Sequence, residues 1–139
     1  MKFARWVFAI CGLYGIVALA PLYFMETKLG QDYPPALNHP EFFYACVGVA
    51  LAWQIGFLII SIDPHRFRPI MLAGVLEKLG YGVPAVILFL QGRSAAPVLF
   101  TGLVDLTMAV LFLVAYQRTA GQPVVAAAPA HSGPLAPMS

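Results

Sequence analysis

Four uninterrupted apolar runs, Trp6–Met25, Phe42–Ile62, Ile70–Leu90 and Pro97–Tyr116, take up most of this 139-residue chain. Each holds about 20 residues, the length a helix needs to cross a hydrocarbon core roughly 30 Å thick. In that solvent every backbone N–H and C=O must find its partner inside the structure, which leaves helices or a closed barrel. The runs are continuous rather than alternating and about twice the length of a barrel strand, which points away from a β-barrel. The expected fold is therefore all-α, a four-transmembrane-helix bundle over residues 1–118. Composition agrees: 60% of the chain is hydrophobic and only 10% charged, against about 25% charged in soluble domains. The net charge of +2 is too small for a nucleic-acid footprint.

Orientation follows from where the cations fall. With the N-terminus inside, Lys2, Arg5, Arg66, Arg68 and Arg118 are cytoplasmic and only Lys28 and Arg93 lie outside, so the positive-inside rule predicts both ends in the cytoplasm of a bacterial inner membrane. The same bias argues against a dual-topology antiparallel dimer. Lys2 and Arg5 ahead of an apolar stretch ending Ala18-Leu19-Ala20 resemble a secretory signal. Pro21 just after the cut site and the continuation of the run through Met25 predict a retained helix instead. Residues 119–139, rich in Ala and Pro and uncharged, read as a flexible cytoplasmic tail.

Inside the runs lie three ionisable side chains, Glu77, Lys78 and Asp105. Charge at such depth costs roughly 2.5–3.5 kcal/mol per residue on insertion scales, so it is expected to have a partner or a purpose. The eleven Leu, Ile, Val and Phe residues of the third run contribute roughly 3–6 kcal/mol of insertion free energy, about what Glu77 and Lys78 remove. That span is marginal alone. Counting from the span midpoints, Tyr14, Gln54, Glu77, Lys78, Tyr81 and Asp105 form one polar band near the midplane. Glu77 and Tyr81 share a helix face, whereas Lys78 points about 100° away. The expected pairs are Lys78 with Asp105, and Glu77 with Tyr81, Gln54 or Tyr14. Gly80, Gly82 and Pro84 in the same span predict a kink there. Small residues at Gly48, Ala52 and Gly56, and at Gly12 and Gly15, predict close helix approach, within the bundle or against a partner.

Other chemistry is thinly represented. Cys11 and Cys46 fall at opposite depths, roughly 15 Å apart at helical rise, too far for a disulfide, and read as buried structural thiols. The three histidines, His39, His65 and His131, lie in loops or the tail, so no haem or metal site is expected and no cofactor is implied. Gly80-Tyr81-Gly82 follows Lys78-Leu79 within a full span, unlike a potassium filter. In the loop over 26–39, Pro34-Pro35 predicts an extended chain, and His39 or Asn38 is placed to cap the second span, with Pro40 and Glu41 in its first turn. Glu26 and Glu41 are candidate outer acids. Arg66 and Arg68, in the tight turn after Asp63-Pro64, are candidates for anionic headgroups of membrane lipids.

In length, span pattern and the Asp63-Pro64 turn, the chain resembles uncharacterised four-span bacterial inner-membrane proteins of DoxX-like organisation, a resemblance that implies no defined activity. Tyr14, Phe24-Met25-Glu26, Tyr33-Pro34 and Leu51-Ala52-Trp53-Gln54 with Phe57 are similar to the emopamil-binding (EXPERA) superfamily. That likeness implies a membrane helix fold holding sterols or related lipids in an acid-lined cavity, with Glu26 at the first acid and Ala50 where the second would stand. Three functions are therefore expected in order: a non-catalytic accessory subunit docked on membrane-protein partners or on its own copies, a binder or isomerase of lipid-like hydrophobes using Glu77 and Asp105, and a proton-coupled small transporter.

Overall fold

The computed structural model describes residues 2–33 and 38–120. Five helices follow one another: α1 (Lys2–Leu19), α2 (Glu26–Asp32), α3 (Pro40–Ile62), α4 (Arg68–Leu90) and α5 (Ala96–Arg118). α1 with the turn after it, α3, α4 and α5 are each long and apolar enough to cross a membrane. The chain is a small multi-pass membrane protein with an all-helical fold, and no strand occurs among the described residues. The first span is not one α-helix. Pro21 cannot donate to the ladder, and α1 tightens into a 3₁₀ turn over Ala20–Phe24. The loop beyond carries the short α2 rather than running wholly extended; Pro34-Pro35 lies outside the described residues, as does the tail from Gly121 on.

Local chemistry sets the remaining ends. α3, α4 and α5 each have a proline in the first turn, Pro40, Pro69 and Pro97, where a missing N–H leaves no ladder bond unmade. His39 occupies the cap position of α3, but its ring turns to Glu41 (Nδ1 to Oε1 3.0 Å) and caps no backbone amide. Between α3 and α4, Asp63 Oδ1 accepts the Arg66 N–H at 3.1 Å, closing the turn on itself. α4 continues through Pro84 and stops at Gly92, whose φ of 68° lies in the left-handed region that favours a residue without Cβ. There the Arg93 N–H reaches Leu88 O and the Gly92 N–H reaches Phe89 O, both at 2.9 Å, the two bonds of a Schellman cap.

The helices associate as two antiparallel pairs, α1 with α3 and α4 with α5. α1 also lies against α5, while α3 meets α4 chiefly through Phe57, which packs on Gly74. Glycines set both close crossings. A Cβ on Gly82 would lie 2.9 Å from Gly102 O, and one on Gly102 would lie 2.6 Å from the Ala85 Cβ, so α4 and α5 meet backbone to backbone. A Cβ on Gly12 would lie 2.9 Å from Gln54 O. The predicted ridge on α3 behaves differently. Gly48 meets only the Tyr23 hydroxyl, Ala52 is exposed, and Gly56 touches nothing beyond Trp53 of its own helix.

The packed core sits in the half of the bundle nearer the arginine-rich end. Phe8 stacks on Phe112 with centroids 4.2 Å apart, and Phe57 meets Phe112 edge-on at 4.8 Å. Met71 is fully buried beside them, and Gly74 leaves the room Phe57 fills. Arg68 stacks on Tyr116 at 3.8 Å and donates to Tyr116 O at 3.2 Å, while Arg118 lies over Phe3 at 4.6 Å. Arg68, a candidate for lipid headgroups, is thus engaged with the carbonyl end of α5, where a cation suits the helix dipole. Arg66 is exposed, with its guanidinium over Phe67.

Candidate functional site

Because α3 and α4 diverge, the other half of the bundle is not filled. A cavity of about 790 Å³ opens between the helix pairs, walled by the second half of α1, the first halves of α3 and α5, and the middle of α4. Its walls are mostly apolar, and its polar lining includes the whole predicted midplane band: Tyr14, Gln54, Glu77, Lys78, Tyr81 and Asp105. The structure brings those six residues to one space.

Lys78 is the hub. Its Nζ lies 3.4 Å from Asp105 Oδ1, across the α4–α5 seam. It also lies 3.2 Å from Oε2 and 3.5 Å from Oε1 of Glu77, straddling that carboxylate without a short directed bond. The Lys78–Asp105 pair is the one expected from helix geometry. Glu77 is a correction: it does not pair with Tyr81, Gln54 or Tyr14. Adjacent Cβ atoms diverge by about 100°, but the four methylenes of lysine let the ammonium swing back to its neighbour. Tyr81 instead shares a hydrogen bond of 2.8 Å with Thr101 Oγ1.

Burial makes the cluster costly to disturb. The Lys78 side chain is 6% exposed, and Glu77 and Asp105 are each 17% exposed. The Phe57 ring lies 5.4 Å from the ammonium, so the aromatic core and the ionic site share a boundary. Two carboxylates and one ammonium leave the group formally one negative charge over. Gln54 stands in the same wall. Its Nε2 donates to Ala50 O at 3.0 Å, whereas its Oε1 is buried without a hydrogen-bond partner. Gly15 makes that placement possible, since a Cβ there would overlap the Gln54 amide.

The two candidate outer acids lie apart from the cavity. Glu26 accepts a hydrogen bond from the Tyr44 hydroxyl at 2.8 Å, and Glu41 faces His39. Neither lines the cavity. Both thiols are free, but only Cys11 is buried; Cys46 is exposed and lines the cavity. Thr101 is a wall residue absent from the sequence-based expectations, where Trp53 stood only in the emopamil-binding likeness and Cys46 only as a structural thiol. Thr101 was within reach of sequence reasoning. Once Lys78 faces Asp105, antiparallel register carries Tyr81, three residues on, to the level of Thr101 and Gly102. No counting of registers places Cys46 and Trp53, because one wide face of α3 lines a gap rather than a helix.

No protein-family model, curated protein or solved structure matches the chain. The fold and the site together define a multi-pass helical membrane protein with an internal ionic cluster at the floor of an apolar cavity.

Proposed function

We propose that the protein binds a small lipid-like hydrophobe in the cavity, with its polar end on the Glu77–Lys78–Asp105 cluster. The observation that carries this reading is the coincidence of about 790 Å³ of apolar-walled space with every polar residue of the midplane band. A bundle that needed its ion pairs only for register would close over them, because an unfilled void forfeits the contacts its lining atoms would make. Pockets of this size with few polar groups are the usual form of small-molecule sites. The resemblance to the emopamil-binding superfamily points the same way, with Glu77 and Asp105 supplying the cavity's acids in place of Glu26. We place the arginine-rich end on the cytoplasmic side of a bacterial inner membrane, which sets the cavity in the outer leaflet half.

A second reading, an accessory subunit docked on a membrane partner, draws on the outward strip of α3. Ala52 is exposed and the Cβ position of Gly56 meets only the Trp53 ring of its own helix, a surface that admits another helix closely. Native mass spectrometry of protein extracted in mild detergent separates the two. The binding reading expects a retained small hydrophobe that is lost in Ala50→Phe, which fills the cavity. A stoichiometric protein partner with no retained small molecule favours the subunit reading and sinks the first.

A further inference from the structure

We infer that the cavity's ligand carries a positively charged N–H donor: a lipophilic primary or secondary ammonium ion rather than a neutral or anionic lipid. This rests on the cavity being a binding site. Lys78 is the cation of the lining, and its ammonium is already shared between Glu77 and Asp105 at 3.2 and 3.4 Å. The hydroxyls of Tyr81 and Thr101 satisfy each other at 2.8 Å. The Tyr14 hydroxyl and the Trp53 indole N–H are donors in the lining, and the carboxylates of Glu77 and Asp105, sharing one ammonium, are its anionic acceptors. The Gln54 Oε1 is buried without a hydrogen-bond partner but lies against Gly15 of α1, closed off from the cavity. Glu77 Oε2 touches the ammonium without a hydrogen bond.

Charge points in the same direction. The cluster is formally one positive charge short of neutral, and an unbalanced charge at this depth is costly. A ligand ammonium supplies that charge, with N–H donors for the two carboxylates that now share one ammonium. A neutral alcohol supplies one donor and no charge, and a carboxylate adds to the excess. Trp53 and Tyr14 add aromatic faces to the lining, and such faces favour a cation over an anion.

Cys46 supplies a built-in reporter, because it is exposed and lines the cavity while Cys11 is buried in the core. The full-length protein in lipid nanodiscs at pH 7 is treated with a thiol-reactive maleimide, with three compounds of one rigid apolar body as competitors. These are 1-adamantylammonium, 1-adamantanol and adamantane-1-carboxylate. The inference expects the ammonium to protect Cys46 at concentrations at least tenfold lower than the alcohol, and the carboxylate to give no protection. Glu77→Gln, which makes the cluster formally neutral, is expected to bring ammonium and alcohol to within about threefold, with unreactive Cys11 reporting an intact fold. Equal or stronger protection by the alcohol or the carboxylate in the natural protein overturns the ammonium inference and leaves the binding reading standing. No protection by any of the three overturns both.

Discussion

Neutralising the ionic cluster one residue at a time should give costs that do not add, and the structure fixes the pattern. The cluster's formal charge is −1 with all three residues, zero in Glu77→Gln or Asp105→Asn, −2 in Lys78→Met, and +1 in the double carboxylate variant. Each single carboxylate change leaves one ion pair, at 3.4 Å or 3.2 Å, whose gross attraction is about 5 kcal/mol at an effective dielectric near 20. It also removes the repulsion between the two carboxylates. Each single variant is therefore expected within about 1 kcal/mol of the parent. The double variant leaves Lys78, 5% exposed, with no counter-charge. Breaking a buried pair in that way costs about 3–5 kcal/mol. Lys78→Met, which strands two carboxylates together, should cost at least as much. The assay is reversible unfolding in mixed micelles by added SDS, followed by tryptophan fluorescence, with the coupling taken from the double-mutant cycle. Equal costs for Glu77→Gln and Lys78→Met, or a double variant equal to the sum of the singles, would falsify the shared-ammonium description.

Three further outcomes follow from packing and exposure. On α4, Gly82→Ala forces a methyl onto Gly102 O and Leu106 and should cost about 1–3 kcal/mol; Gly80→Ala, with nothing within 4 Å of its Cβ position, should be neutral or gain up to about 1 kcal/mol in helix propensity. The same unfolding assay reads both, and equal effects would sink the assigned α4–α5 crossing. Phe8→Ala removes a ring with no exposure and should cost about 3–5 kcal/mol, seen as an early SDS midpoint. In sealed cells an impermeant maleimide should label Cys46 from outside; labelling only after lysis would invert the assigned topology.

The registration of α4 on α5 shows how far local rules carried and where they stopped. Lys78 and Asp105 could be matched because each stands near the middle of its span, and charge at that depth has few places to go. From that single match the Tyr81–Thr101 level follows by counting. Glu77 escaped the same logic because face geometry describes where a Cβ points, not where a flexible ammonium ends. Gly80, Gly82 and Pro84 suggested a weak, kinked centre. Only contact with the neighbouring helix distinguishes Gly82, pressed on Gly102, from Gly80, which faces open space.

The sequence by itself determined the four spans, the charged end, the turn at Asp63, and the depth of every polar residue. All of these are properties of segments: hydrophobic length against bilayer thickness, capping chemistry, and the cost of charge in hydrocarbon. The tertiary structure decided which helices pair, which glycines are crossings, and that α3 and α4 part to leave a cavity. Each span is apolar nearly all round, and lipid tails are as apolar as leucine, so burial supplies no sequence stripe to say which face turns inward. Shape alone settled it: Gly12 and Gly15 fit Gln54, Gly82 fits Gly102, and Phe8, Phe57 and Phe112 fill the half of the bundle that closes.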